Sequence, residues 1–326
     1  MISTSIWPYI RHAVQYVEMD GGLVPLRFSK NQMAFFEPTP YKFRSFNAAG
    51  IVLDFMTDSS TLHLAYDIKL KPKTKELVYF DIYVDDRFVG YQGGAVDVKG
   101  SAEWEAALPI EKGNPKRVTV YLPYLARVVL KKFELEAGAV LEPAKSYEKN
   151  LLCLGDSITQ GMNALHPSST YAVLLSRQLR MNLLNQAVSG YVFNPDSIDP
   201  DLPFEPDHIT VAYGTNDWSI RETLDELKQN AENYITKLAK LYPDVPITVF
   251  SPIWRDEIHN IQKTGKFCDV HAVLERICAQ YTQVRYVDGL DLVPHHNDYF
   301  ADGLHPTDEG FLHMALNILK RSDGQF

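Results

Sequence analysis

The sequence predicts a chain in two parts: an antiparallel β-sandwich of jelly-roll type over residues 1–145, then an α/β unit with a parallel sheet over residues 146–326. Three observations carry that expectation. The first part holds many short runs rich in Val, Ile, Tyr and Phe, separated by turn residues, with no sustained helical period. From Asn150 onward, short apolar runs alternate with amphipathic segments. Between the two lies Glu142-Pro143-Ala144-Lys145-Ser146, whose composition reads as a linker.

In the first part the strand-like runs are 12–18, 23–28, 32–36, 51–55, 61–68, 77–84, 87–92, 117–121 and 127–135. Apolar residues alternate with others in Thr61-Leu62-His63-Leu64-Ala65-Tyr66, the mark of a half-buried strand. Tyr83-Val84-Asp85-Asp86-Arg87-Phe88-Val89 reads as a hairpin with the Asp pair at its turn. Aromatic residues there could form a carbohydrate-binding face, but aromatics in a sandwich more often fill its core.

In the second part the expected strands are 151–154, 183–187, 209–213, 247–250 and 285–287, with helices at 170–180, 219–241, 269–281 and 307–321. Leu224, Leu227, Ala231, Tyr234, Leu238 and Leu241 recur three or four residues apart, and Pro243 stands where that helix must stop. Thr307 is placed to cap the last helix, with Asp308 and Glu309 in its first turn. Strands alternating with helices imply right-handed crossovers and a parallel sheet covered on both faces. In such sheets the ligand site lies beyond the carboxyl ends of the strands, which names the loops to inspect.

Bulk properties exclude several classes. A net charge of −9 and a pI near 5.6 over 326 residues argue against nucleic acid or an anionic membrane surface as partner. No apolar stretch approaches the roughly 18 residues needed to span a bilayer. The N-terminal 20 residues lack an apolar h-region, and Cys153, Cys268 and Cys278 are scattered without metal-site spacing. A reduced, cytoplasmic setting is the simplest expectation, although a chain trimmed of a leader would read the same way. The sequence sets no oligomeric state; a homo-oligomer is compatible with it.

The loops hold the chemistry. Leu151-Leu152-Cys153-Leu154 delivers Gly155-Asp156-Ser157 to the end of a strand, where Ser157 could be a nucleophile or a helix cap. The run is not a Gly-x-Ser-x-Gly elbow, because Thr159 occupies the fifth position, nor a phosphate loop. Val188-Ser189-Gly190-Tyr191 brings a glycine whose backbone can approach a ligand and point an N–H at an oxyanion. Gly214-Thr215-Asn216-Asp217 offers the Asn216 amide, and Asp302-Gly303-Leu304-His305-Pro306 sets an acid three residues before a histidine. Such an acid can accept from one ring nitrogen and leave the other to act as a base.

Taken in order, these four blocks resemble those of the SGNH, or GDSL-type, hydrolases, from about Asn150 to the C-terminus. The continuation after Ser157, Ile158-Thr159, departs from the usual one at a variable position. The resemblance implies a flavodoxin-like three-layer α/β/α fold, with Ser157 as nucleophile, His305 as base and Asp302 as its orienting acid. It also implies an oxyanion hole made of the Ser157 N–H, the Gly190 N–H and the Asn216 side chain, and no metal or organic cofactor. A preceding jelly roll is similar to the arrangement in certain carbohydrate esterases that remove acetyl groups.

The expectation is therefore a serine esterase of short-chain acyl esters, with a carbohydrate acetyl ester of oligosaccharide or xylan type as substrate. An acyltransferase, a lysophospholipase or thioesterase of the same fold, and an inert carbohydrate-binding protein are the alternatives. Tyr191, with Phe193 and Phe204, could wall an acyl pocket, and Trp254 could stack on substrate within a polar lid, residues 254–266. Asp156 is expected to hold the nucleophile turn and Asp217 to support the site. A metal at His295, His296, Asp298 and Asp302 is set aside, since no His-x-x-x-His or Glu-x-x-His helix accompanies them.

Overall fold

The computed structural model describes residues 3–70, 77–95 and 99–321. Its first part is a jelly roll. Eight main strands run in chain order: Gly22–Leu26, Val52–Thr57, Thr61–Leu70, Leu77–Val84, Arg87–Ala95, Lys99–Ala107, Lys116–Tyr121 and Ala126–Leu135. Numbered one to eight, they form one sheet in the order 1-8-3-6 and a second in the order 2-7-4-5, every pair antiparallel. Phe55, Leu62, Leu64, Phe80, Val118 and Phe133 fill the space between the sheets. Asp85 and Asp86 both have positive φ, +48° and +64°, as the expected hairpin between Leu77–Val84 and Arg87–Ala95 requires.

Two elements of this part differ from the sequence expectation. Lys99–Ala107 is a strand that small residues concealed: Ala102, Trp104 and Ala106 turn inward while Ser101, Glu103 and Glu105 turn out. Residues 32–36, expected as strand, belong to a helix, Lys30–Phe36. Ser29 and Gln32 form a reciprocal capping box that fixes its start, a local signal that outweighs the β-favouring Phe pair.

That helix also carries the chain out of the jelly roll. Phe28 and Phe36 lie in the same buried cluster as Leu152, Leu184 and Tyr191 of the second part. The fully buried Arg27 donates to Asn47 O at 2.6 Å, to Ala187 O at 2.9 Å and to Asn185 O. Burial pulls its pKa down to about 9. Gln32 and Gln186 bond each other across the junction at 2.8 and 3.0 Å. At the other end, Glu142–Pro143, expected as linker, pairs with Val52–Thr57 as a short edge strand.

The second part is a five-stranded parallel sheet of Lys149–Gly155, Met181–Asn185, His208–Ala212, Ile247–Phe250 and Val284–Val287, in the order 2-1-3-4-5. Helices Tyr171–Leu179 and Asp308–Arg321 pack on one face through Tyr171, Leu175, Phe311 and Met314. Leu224–Leu241 and Phe267–Cys278 cover the other through Leu227, Leu238, Leu274 and Ile277. This is the flavodoxin-like three-layer arrangement, with its strand order reversing at Lys149–Gly155. The helix expected over 219–241 is two, Thr215–Ile220 and Leu224–Leu241. Arg221 is extended (φ −71°, ψ 149°) and Thr223 caps the second by accepting from Glu226 N.

Candidate functional site

The strand Lys149–Gly155 ends at the reversal point, and its last residue is followed by Asp156 and Ser157. Asp156 caps the four-residue helix Ser157–Gln160, its Oδ1 accepting from Ile158 N at 2.9 Å. Asp156 thus caps the turn, and the hydroxyl of Ser157, the first helical residue, takes no part in the cap.

Three side chains, 148 residues apart at the extremes, meet there. Ser157 Oγ lies 2.8 Å from His305 Nε2, and His305 Nδ1 lies 2.8 Å from Asp302 Oδ2. Asp302 Oδ1 accepts from His305 N at 2.8 Å and Leu304 N at 3.2 Å, so the tight turn itself fixes the carboxylate. Partial burial pushes the Asp302 pKa up, but the hydrogen bonds and charge of His305 outweigh it and hold the group below its usual value. The turn depends on Gly303 at φ +75°, where a Cβ would come within 2.3 Å of Asp256 Oδ2. Asp256 N in turn donates to Gly303 O at 2.8 Å.

The loops that carry the expected anion donors are tied to one another by hydrogen bonds. Among the described residues, neither the Ser157 N–H nor the Gly190 N–H is taken by a protein acceptor. Gly190 has φ +77°, and Gln160, on the Ser157 helix, holds the preceding residue through Ser189 N at 2.8 Å and Ser189 Oγ at 3.0 Å. The Asn216 amide donates to Tyr191 O at 3.0 Å and faces Asp156 Oδ2 at 3.4 Å, so its second hydrogen is only loosely held. Asp156 is buried, and burial, with the charge of Asp217, raises its pKa to about 7. Asp217, also buried, is raised to about 6 against the pull of Arg221, and accepts from Phe193 N at 3.2 Å.

The two side chains expected to touch substrate fare differently. Tyr191 is a correction: its ring is buried against Phe36, Tyr41 and Tyr213, because the segment 28–46 covers the place where a pocket wall would stand. What Tyr191 brings to the site is its carbonyl. Phe193 is likewise core, packed on Tyr213 and Tyr234. Trp254 is half-buried, stacked on His295 at 6.0 Å and tilted against Phe300 at 4.9 Å. The polar stretch 254–266 contains a small hairpin, Ile261–Gln262 with Gly265–Lys266, pinned by Thr264 Oγ1 to Trp218 O at 2.7 Å and by Trp218 Nε1 to Gly265 O at 3.1 Å.

Several participants carried no sequence signal. Asn163 Nδ2 donates to Asp302 Oδ2 at 2.7 Å, the same oxygen that faces the His305 ring. Tyr41 OH donates to Gly190 O at 3.1 Å, and Arg44 donates to Ser189 O. Each partner lies more than 130 residues away in sequence, so no local pattern could announce the pair. Among the described residues no group of three or more His, Cys, Asp or Glu side chains is arranged to hold a metal, and no helix is long and apolar enough to cross a membrane.

A serine, a histidine and an aspartate in line at the carboxyl end of a 2-1-3-4-5 parallel sheet make the arrangement that acyl transfer through a serine would need. Residues 153–311 match the model of the GDSL-like lipase/acylhydrolase family, so this part of the chain is similar to the domain of that family. Solved structures share the fold over nearly the whole chain, jelly roll included. A salicylyl-acyltransferase, SsfX3, from a tetracycline biosynthetic pathway is 22% identical, covers 95% of this chain and 92% of its own, and has a TM-score of 0.79. A family two carbohydrate esterase from Cellvibrio japonicus is 17% identical with TM-score 0.64, covering 96% and 94%. The acetyl xylan esterase Est2A from the rumen bacterium Butyrivibrio proteoclasticus is 15% identical with TM-score 0.61, covering 95% and 99%. No curated protein sequence matches the chain significantly.

Proposed function

We propose that the chain is a serine esterase that removes short acyl groups, acetyl foremost, from a carbohydrate alcohol. The observation that carries the reading is the unbroken line Ser157 Oγ, His305 and Asp302, with two open backbone N–H groups beside it. His305 Nε2 takes the Ser157 proton as Oγ attacks the ester carbonyl. The tetrahedral oxyanion is received by the N–H groups of Ser157 and Gly190 and by the loosely held hydrogen of Asn216. The ester C–O bond breaks, the imidazolium gives its proton to the leaving alcohol, and Asp302 steadies the ring. Water, deprotonated by His305, then attacks the acyl-enzyme and releases the acid and Ser157.

The carbohydrate part of the reading is supported by fold likeness to carbohydrate esterases that also carry a jelly roll. The short-acyl part is supported by fold likeness to an acetyl xylan esterase. The test is a chain-length series of aryl esters beside acetylated xylo-oligosaccharides, with fluorophosphonate labelling of Ser157. Turnover that rises with acyl length would replace this reading with a lipase or thioesterase one, and absence of labelling would remove the nucleophile.

A second reading has its own support: the likeness at TM-score 0.79 is to an acyltransferase. In that scheme an alcohol acceptor, in place of water, resolves the acyl-enzyme. Product analysis with and without added acceptor alcohols separates the two.

A further inference from the structure

Arg44 stands at the rim of this site with donors that the acyl-transfer scheme does not use. It belongs to the four-residue helix Lys42–Ser45, on the segment that leaves the jelly roll to cover the parallel-sheet unit. Its Nη1 donates to the Ser189 carbonyl and lies 2.9 Å from the place a Cβ on Gly190 would occupy. Tyr41 flanks the same glycine, its hydroxyl on the Gly190 carbonyl at 3.1 Å. Arg44 is therefore a direct neighbour of the residue proposed as second oxyanion donor.

A guanidinium has five N–H donors in a planar fork. Among the described residues, only Nη1 of Arg44 finds a protein acceptor, and no carboxylate pairs with it. Its remaining nitrogens are not sealed in the interior, as those of Arg255 and Arg127 partly are. The edge formed by Nε and Nη2 is thus free and open to solvent. That edge is the one whose two parallel N–H bonds match the two oxygens of a carboxylate. Partial burial lowers the Arg44 pKa, as expected of a cation without a protein counter-charge. The chain as a whole carries −9, so attraction of an anion to this mouth has to come from a local cation.

We propose that Arg44 is a substrate-recognition residue whose free edge pairs with a carboxylate carried by the substrate close to the ester. The proposal rests on the Ser157 reading and narrows its substrate class to anionic esters. The carboxylate has two sources, the acyl group or the alcohol, as in an acylated acidic sugar, and matched esters distinguish them.

The test measures kcat/KM for two pairs: an aryl hemisuccinate against its methyl ester, and para-acetoxybenzoate against its methyl ester. In at least one pair the ratio of charged to neutral substrate should fall by about tenfold or more in Arg44→Gln, the scale of one charge-assisted pair. Arg44→Lys, which keeps the charge and loses the fork, should fall between. Ratios that are the same in wild type and Arg44→Gln for both pairs overturn the proposal while leaving the esterase reading intact. Should Arg44→Gln fail to fold, Arg44→Lys decides: a severalfold lower ratio supports the fork, and an unchanged ratio overturns it. Turnover of no ester at all by wild type removes the esterase reading and this proposal with it.

Discussion

Among the described residues three clusters contain a serine, a histidine and an aspartate, and they differ in their order of contact. At Ser157 the histidine is in the middle, one nitrogen on the serine and the other on Asp302. At the junction of the two parts the aspartate is in the middle. Buried Asp81 accepts from Ser168 N at 2.9 Å, Ser168 Oγ at 2.6 Å and the His166 ring at 2.7 Å. There the serine proton already points at a carboxylate, and His166 never reaches Oγ. Beyond the fourth strand, His271 Nδ1 faces Ser251 Oγ at 2.9 Å and Asp288 Oδ1 at 3.1 Å with the same atom, while its Nε2 is buried without a partner. One nitrogen cannot both hold the orienting acid and take the serine proton.

The comparison teaches that triad composition is common and triad order is not. In the second cluster the three groups satisfy one another and pin a loop, as buried polar groups ordinarily do, and in the third a single ring nitrogen is shared between serine and aspartate. In the first, Ser157 faces a histidine nitrogen that no carboxylate occupies.

The strongest way to break this comparison is to remove the serines in turn. Ser157→Ala should cost about 10⁴-fold or more in kcat, whereas Ser168→Ala should keep activity and lose about 1–3 kcal/mol in urea denaturation through the uncovered Asp81. Comparable activity losses in both variants would mean that order of contact does not decide function. Next in size, Asn216→Ala should slow kcat about 10²–10³-fold, as loss of one oxyanion donor does; an effect within error would show that the amide stays on Tyr191 O throughout.

A finer probe is Asn163→Asp, which suits the positive φ of +73° at that position. It places a second carboxylate on the oxygen that orients His305, so the acidic limb of kcat/KM should move to higher pH. An unmoved limb would reduce Asn163 to a turn residue. The smallest effect concerns Asp156, whose pKa is raised to about 7 by burial and by Asp217. With the folded pKa above the unfolded one, the native state binds the extra proton between roughly pH 4 and 7, so this group's contribution to stability falls as pH rises through that window. Asp156→Asn should flatten the dependence of unfolding free energy on pH between pH 5 and 7. A slope identical to wild type would place the ionised carboxylate in a better solvated setting than its burial suggests.

Much of the fold was written locally. The strands of the parallel sheet, the capped last helix and the hairpin at Asp85-Asp86 follow from period and turn chemistry, which act over a few residues. The capping box at Ser29 was equally local and shows that a short apolar run of Phe residues does not by itself make a strand. Lys99–Ala107 escaped because alanine and glycine blur a period of two.

Ser157, Gly190, Asn216, Asp302 and His305 could be named from sequence because they fall in motif blocks that resemble those of the SGNH hydrolases, the first three a few residues beyond a strand end, where the topology of a parallel sheet gathers ligands. The sequence by itself determined that gathering and the residue types available to it. Only the tertiary structure decided which nitrogen of which histidine faces which serine, since Ser168 and Ser251 have the same neighbours in kind. It alone also decided that Tyr191 is core and Arg44 is rim: both depend on how residues 27–47 cross from one part to the other, anchored by the buried Arg27. Contacts between segments some 150 residues apart are set by packing and by satisfying buried donors, and neither is encoded in a window short enough to read.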